Sequence, residues 1–99
     1  MTATGFIYEE MIEELRQGCR DHLDNRITAD ALQRIVLRAE ATIVAVGEQD
    51  IRDKMTNADG ALELIKFTIE EDQQITETQQ VARNLVAWLA KREKGPFDT

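Results

Sequence analysis

The chain has 99 residues, 42% of them hydrophobic, and 19 acidic against 12 basic side chains leave it a net charge of −7. That length fits one domain rather than two cores, and the apolar content argues against disorder. The negative charge disfavours unassisted binding to nucleic acid or to an anionic membrane surface.

The bases are scattered. Arg16 with Arg20 and Arg34 with Arg38 form i,i+4 pairs, and Lys91, Arg92 and Lys94 stand where a last helix would close. They read as solvated faces and helix-dipole complements, as do Glu9, Glu10, Glu13 and Glu14 at the start of a first helix. No apolar run approaches the roughly 20 residues needed to span a bilayer. The opening MTATGFIYEE has neither the basic start nor the apolar stretch of a secretory signal. Cys19 is the single cysteine, which excludes an internal disulfide and fits a reducing compartment. The expectation is one cytoplasmic domain over residues 1–99, with short loose termini.

Taken in chain order, Ile7, Met11, Leu15, Cys19 and Leu23 recur every four residues, with Tyr8 and Ile12 widening the stripe. This predicts an amphipathic helix over about residues 6–24. Asp24, Asn25 and Arg26 form a polar turn, and Thr28 is a good N-cap for a second helix over about 29–46. Its stripe is Leu32, Val36, Ala39, Ile43 and Val46, and Gly47 is the natural residue to end it. Between Val46 and Ile51 the step is five, which one helix face cannot absorb, so a turn belongs near Gly47.

The pattern restarts as Ile51, Met55, Ala58, Leu62, Ile65 and Ile69, in steps of four and three. The phase matches on both sides of the Asn57-Ala58-Asp59-Gly60 stretch, which favours one long helix over about 50–72. The competing picture is a break near Gly60, with Asn57 or Asp59 as a cap. Thr76 followed by Gln79 has the form of a capping box, placing a fourth helix over about 77–94. Val81, Leu85, Trp88 and Leu89 carry its buried face, Gly95 and Pro96 finish it, and the tail 97–99 is expected to be loose. Four helices with short connections predict an all-α, antiparallel up-and-down bundle.

The chemistry is thin. Asn57, Asp59 and Gly60 stand in the order that opens a calcium loop, but Met55 and Lys66 then occupy its first and twelfth positions, where carboxylates are needed. Cys19 and His22 share a helix face at i,i+3, yet neither an orienting group nor an oxyanion donor accompanies them. With no other Cys or His, they make no metal half-site, and one His cannot build a di-iron bundle. A partly buried Cys beside a rim His is the simpler reading. No Gly-rich phosphate loop, nucleophile elbow or redox Cys pair is present. The expectation is therefore no catalytic residue, cofactor or metal.

One feature points outward. At 100° per residue, Leu37, Ala41 and Val44 fall on the far side of the second helix from its main stripe, and Leu64 and Phe67 do the same on the third. Such second stripes arise when a helix packs between neighbours on two sides, or when it meets another molecule. Leu37, Val44, Leu64 and Phe67 are the candidate interaction surface. The function expected is non-enzymatic protein–protein interaction, by self-association as a homodimer or by docking on a partner, in a small bacterial or prophage accessory protein. Two alternatives stand beside it. An acidic inhibitor of the immunity or antitoxin type would bury carboxylates against a basic site. A small-ligand-binding bundle would need a convergent polar set, which the sequence does not show.

Overall fold

A computed structural model describes residues 6–94 of the chain. Four helices, α1 (Glu9–Leu23), α2 (Ala29–Thr42), α3 (Gln49–Thr68) and α4 (Glu71–Lys94), make an all-α bundle. No strand occurs among the described residues. Each helix packs on its two sequence neighbours, and α4 closes the ring against α1. Cross-helix pairs fix the antiparallel sense. Glu14 meets Arg38 between α1 and α2, Gln33 meets Glu63 between α2 and α3, Asp50 meets Arg92 between α3 and α4, and Arg16 meets Glu93 between α1 and α4.

The four stripes share one core. Ile12, Leu15 and Cys19 come from α1, Leu32, Val36 and Ala39 from α2, Ile51, Met55 and Leu62 from α3, and Ala82, Leu85 and Leu89 from α4. Burying a Leu or Ile completely stabilises a fold by roughly 1.5–3 kcal/mol, so these stripes decide the architecture. At Gly18 on α1 a Cβ would lie 2.7 Å from Cδ1 of Ile35 on α2. Glycine there lets the two helices approach, a role that apolar periodicity does not reveal.

α1 ends in a Schellman motif. Asn25 takes the left-handed backbone conformation (φ 63°), the Asn25 N–H donates to the His22 carbonyl, and the Arg26 N–H donates to the Asp21 carbonyl at 2.7 Å. The expected polar turn is therefore built on the residue type that tolerates this conformation after glycine. Thr28 caps α2 as expected, its hydroxyl accepting from the Ala31 N–H at 3.1 Å.

Four boundaries differ from the sequence reading. α1 starts at Glu9 rather than at 6, because residues 6–8 run as a strap across the end of the bundle. α2 stops at Thr42 rather than 46. The chain there turns β-branched (Thr42, Ile43, Val44, then Val46), and such side chains lose rotamer freedom in a helix. Ile43 leaves the helix with extended backbone yet stays buried, while Val46, assigned to the stripe, is 91% exposed on a single 3-10 turn, Val46–Glu48. α3 runs unbroken through Gly60, as the matching phase implied, but ends at Thr68 rather than 72, with Ile69 extended.

α4 begins at Glu71 rather than 77, with Glu71 and Asp72 in its first turn where the helix dipole favours them. Thr76 is thus interior to α4, and the capping box is not used. Gln79 instead donates across the bundle to the carbonyls of His22 and Leu23 and to Oδ1 of Asn25, holding the end of α1. Gln74 donates to the Ile69 carbonyl at 2.9 Å and so serves the end of α3. The stop expected at Gly95 and Pro96 and the loose tail 97–99 lie outside the described residues, as does the loose start at residues 1–5.

At the other end a buried carboxylate anchors the strap. Glu48 is 2% exposed, and its Oε2 accepts from the Ile7 N–H at 2.8 Å. Next to it the Phe6 ring lies between the Arg16 and Arg92 guanidiniums, at 5.5 and 5.7 Å from its centroid. Arg92 also donates to Asp50 at 2.7 Å, linking the strap to α3 and α4.

Two substitutions test this geometry. Gly60 lies on the exposed side of α3, has no positive φ, and a Cβ there would meet nothing within 4 Å. Gly60→Ala is expected to raise stability by up to about 1 kcal/mol, read as a higher urea midpoint with an unchanged slope. Asn25→Val is expected to lower it by about 1–2 kcal/mol, because a β-branched residue is forced to positive φ.

Candidate interaction surface

The sequence offered two places to look, the Cys19–His22 pair and the second apolar stripes. The structure buries the first. Cys19 is fully buried, and burial pushes its thiol up to about 12 against a lowering by Arg20, so it carries no thiolate at neutral pH. His22 is not on a rim but completely enclosed. Its Nδ1 lies 3.0 Å from the Ile27 carbonyl and its Nε2 lies 2.8 Å from the Thr78 hydroxyl. A carbonyl only accepts, so Nδ1 carries a proton and donates to Ile27, while Nε2 meets the Thr78 hydroxyl, which also lies 3.2 Å from the Ile75 carbonyl. Both ring nitrogens are thus engaged in tying α1, the 24–28 turn and α4 together.

The calcium-like stretch is helical throughout. Asp59 is turned to α2, where its Oδ1 accepts from Gln33 Nε2 at 2.9 Å, and Glu63 accepts from the same nitrogen at 2.7 Å. Among the described residues no group of three or more His, Cys, Asp or Glu side chains is placed to hold a metal ion. Likewise no described helix is long and apolar enough to cross a membrane.

The second stripes do reach the surface. Phe67 is 74% and Leu64 is 62% exposed, while Leu62, on the buried side, is 2% exposed. Counting about 100° per residue, Phe67 and Leu64 stand roughly 140° and 160° from Leu62 around α3. The outward positions beside them are Thr56, Asn57, Gly60 and Thr68, with the charged Glu63 at the edge of this stretch and Asp53 two turns before Gly60 on the same stripe. Charges flank this stretch on both sides: Lys66 pairs with Asp30 at 3.0 Å in the seam with α2, while Asp50 pairs with Arg92 and Lys54 lies over the Trp88 ring on the side of α4. The Asp30 carboxylate holds the Lys66 ammonium above its ordinary range.

The four candidate residues do not form one patch. Leu37, 44% exposed, lines the charged α2–α3 groove with Asp30, Arg34 and Glu63. Val44 is not on a helix at all, because α2 has ended two residues earlier. It is exposed at the end of the bundle where α3 begins, and Phe67 is at the end where α3 stops. The 20 residues of α3 separate those ends by about 30 Å at 1.5 Å each.

Ile7 and Val46, both expected inside, join Val44 at the first end, and Ile75 lies exposed at the Phe67 end. The signal for Val46 was legible in the β-branched run at 42–46. For Ile7 it was not, since helical spacing continues into a segment that tertiary contacts pull straight.

The core chemistry makes a pH prediction. An unfolded thiol ionises near 9.0, whereas native Cys19 holds its proton to about 12. The folded state then binds more protons between those values, so this thiol makes stability fall as pH rises from 9 towards 12 and adds no pH dependence below that range. Cys19→Ala is expected to flatten that part of a stability–pH curve. His22→Ala is expected to lower stability by roughly 2 kcal/mol or more, since it strands the Ile27 carbonyl and leaves a cavity.

No protein-family model, curated protein or solved structure matches this chain, so the function is argued from its surface.

Proposed function

We propose that this protein acts without catalysis, through protein–protein contact made by the outer face of α3 around Leu64 and Phe67. The observation that supports this most directly is a Phe 74% exposed beside a Leu 62% exposed, on the outer side of α3. Scattered exposed apolar residues are ordinary, but a ring and a leucine at i,i+3 on one outward helix face make a surface suited to being covered. Aromatic and aliphatic anchors of this kind dominate contact energies when they enter a partner's surface. A reducing cytoplasm suits the one buried, unpaired thiol.

The acidic-inhibitor alternative has less behind it. Glu14 already meets Arg38 and Glu13 meets Arg20 at 3.2 Å, so part of that acidic set is neutralised within the molecule.

A photo-crosslinking side chain in place of Phe67, expressed in the native cell, is expected to trap a protein adduct, either a second copy or a different chain. The same group at Ala87, exposed on α4, should not. Absence of any adduct at position 67 would reject the surface. In parallel, Phe67→Asp should leave the melting temperature nearly unchanged, because the site is open to water in the single molecule. Reversal of Glu9, Glu10, Glu13 and Glu14 should leave the adduct intact, and its loss on that change would favour the inhibitor.

A further inference from the structure

We infer that the occupant of the α3 face is a second copy of this chain, docked antiparallel so that Phe67 of each protomer covers Gly60 of the other. This rests on the reading of the Leu64–Phe67 face as the working surface. The first support is Gly60 itself. A glycine inside a helix costs about 1 kcal/mol relative to alanine. Nothing within the molecule requires it, since a Cβ there meets no atom within 4 Å and the backbone is ordinary helix. Gly18 shows the contrast, for there an internal neighbour fills the space a Cβ would take. What Gly60 provides is a shallow notch on the outer face, open to whatever covers α3.

The second support is register. Gly60 and Phe67 are seven residues apart, two turns of helix, so notch and ring lie on one stripe of α3. A two-fold axis crossing the helix between them, next to Leu64, pairs ring with notch in both directions and brings the two Leu64 side chains together. One face thus carries both halves of a self-complementary contact, which is what an isologous dimer requires.

The third support is charge. Between Asn57 and Phe67 the stripe through Gly60 and Leu64 holds no ionised group, with Glu63 at its edge and Asp53 two turns before Gly60, so a densely charged partner surface would be desolvated against it without compensation. A second copy presents the same sparsely charged stripe. One helix face lies at the low end of interface sizes, below roughly 1,200 Å² in total, so the dimer is weak and reversible. The charge of −7 on each copy opposes its approach at long range, which makes association stronger as salt rises.

Sedimentation velocity or light scattering of the purified full chain, from about 1 μM to 1 mM where a weak dimer forms, tests this. Mass is expected to rise from monomer towards dimer, and to do so at lower protein concentration in high salt than in low. Phe67→Asp should weaken association by at least about tenfold, as loss of a central anchor does. Gly60→Leu should do the same by filling the notch, with helix content retained. It carries the test alone if Phe67→Asp proves unstable. Leu64→Cys should cross-link two copies on mild oxidation, whereas Ala87→Cys should not, and buried Cys19 stays out of the reaction. A wild-type chain monomeric throughout overturns the inference, as does a dimer that persists in both Phe67→Asp and Gly60→Leu. If the purified chain is monomeric while position 67 traps a different protein in the cell, the second copy is refuted and the surface itself stands.

Discussion

An α-helix has 3.6 residues per turn, and in a ring of four it can turn only part of its circumference to the shared core. Everything else in this protein follows from how that single inward arc is filled. On α3 it holds Ile51, Met55, Ala58 and Leu62, all buried, and the arc opposite holds Gly60, Leu64 and Phe67, all exposed. The residues that make the fold and those proposed to make the contact are on one helix and cannot exchange places. A helix whose apolar residues exceed its inward arc must show the remainder to solvent or to another molecule.

The polar groups divide along the same line. At one end His22, Thr78 and Gln79 bind α4 to the close of α1, and at the other Glu48, Arg92, Phe6 and Arg16 fasten the incoming strap. These groups are buried or half-buried and already satisfied by one another, apart from Oε1 of Glu48, which lacks a hydrogen-bond partner among the described residues. Their use is in fixing where helices begin and end. A histidine and a cysteine on one helix face look like chemistry in a sequence. Here the ring is held by two hydrogen bonds and the thiol is kept neutral by burial.

The contact proposed for α3 has a definite consequence on a protein of net charge −7. Long-range electrostatics would oppose the approach of copies, while short-range apolar contact would act only once faces align. Affinity on the proposed face would be set by fit, at the Phe67 ring and Gly60, rather than by steering. The seam between α2 and α3, where Asp30, Gln33, Asp59, Glu63 and Lys66 are paired with one another, borders that face on one side. It contributes a polar rim of the kind that surrounds apolar contacts in general.

The sequence by itself determined the class of fold, the number of helices, their order and most of the core. Apolar phase is a local property, written in the spacing of Leu32, Val36 and Ala39 or of Ile51, Met55 and Ala58. It favoured an α3 that passes through Gly60, because nothing would force a loop to keep the phase on both sides, and the structure decided against a break there. It showed that Leu64 and Phe67 face away from the stripe, since angle around a helix depends on residue number alone. What periodicity could not supply was decided by contacts between distant residues. Glu48 and Ile7 are 41 positions apart, and their hydrogen bond draws Ile7 out of helical register. His22 and Thr78 are 56 apart, and only their meeting explains why a histidine is wholly enclosed. Val44 and Phe67 shared a description as outward-facing residues, yet the antiparallel course of α2 and α3 sets them at opposite ends. The angle of a side chain is a property of its own helix, whereas its neighbours are a property of the whole ring.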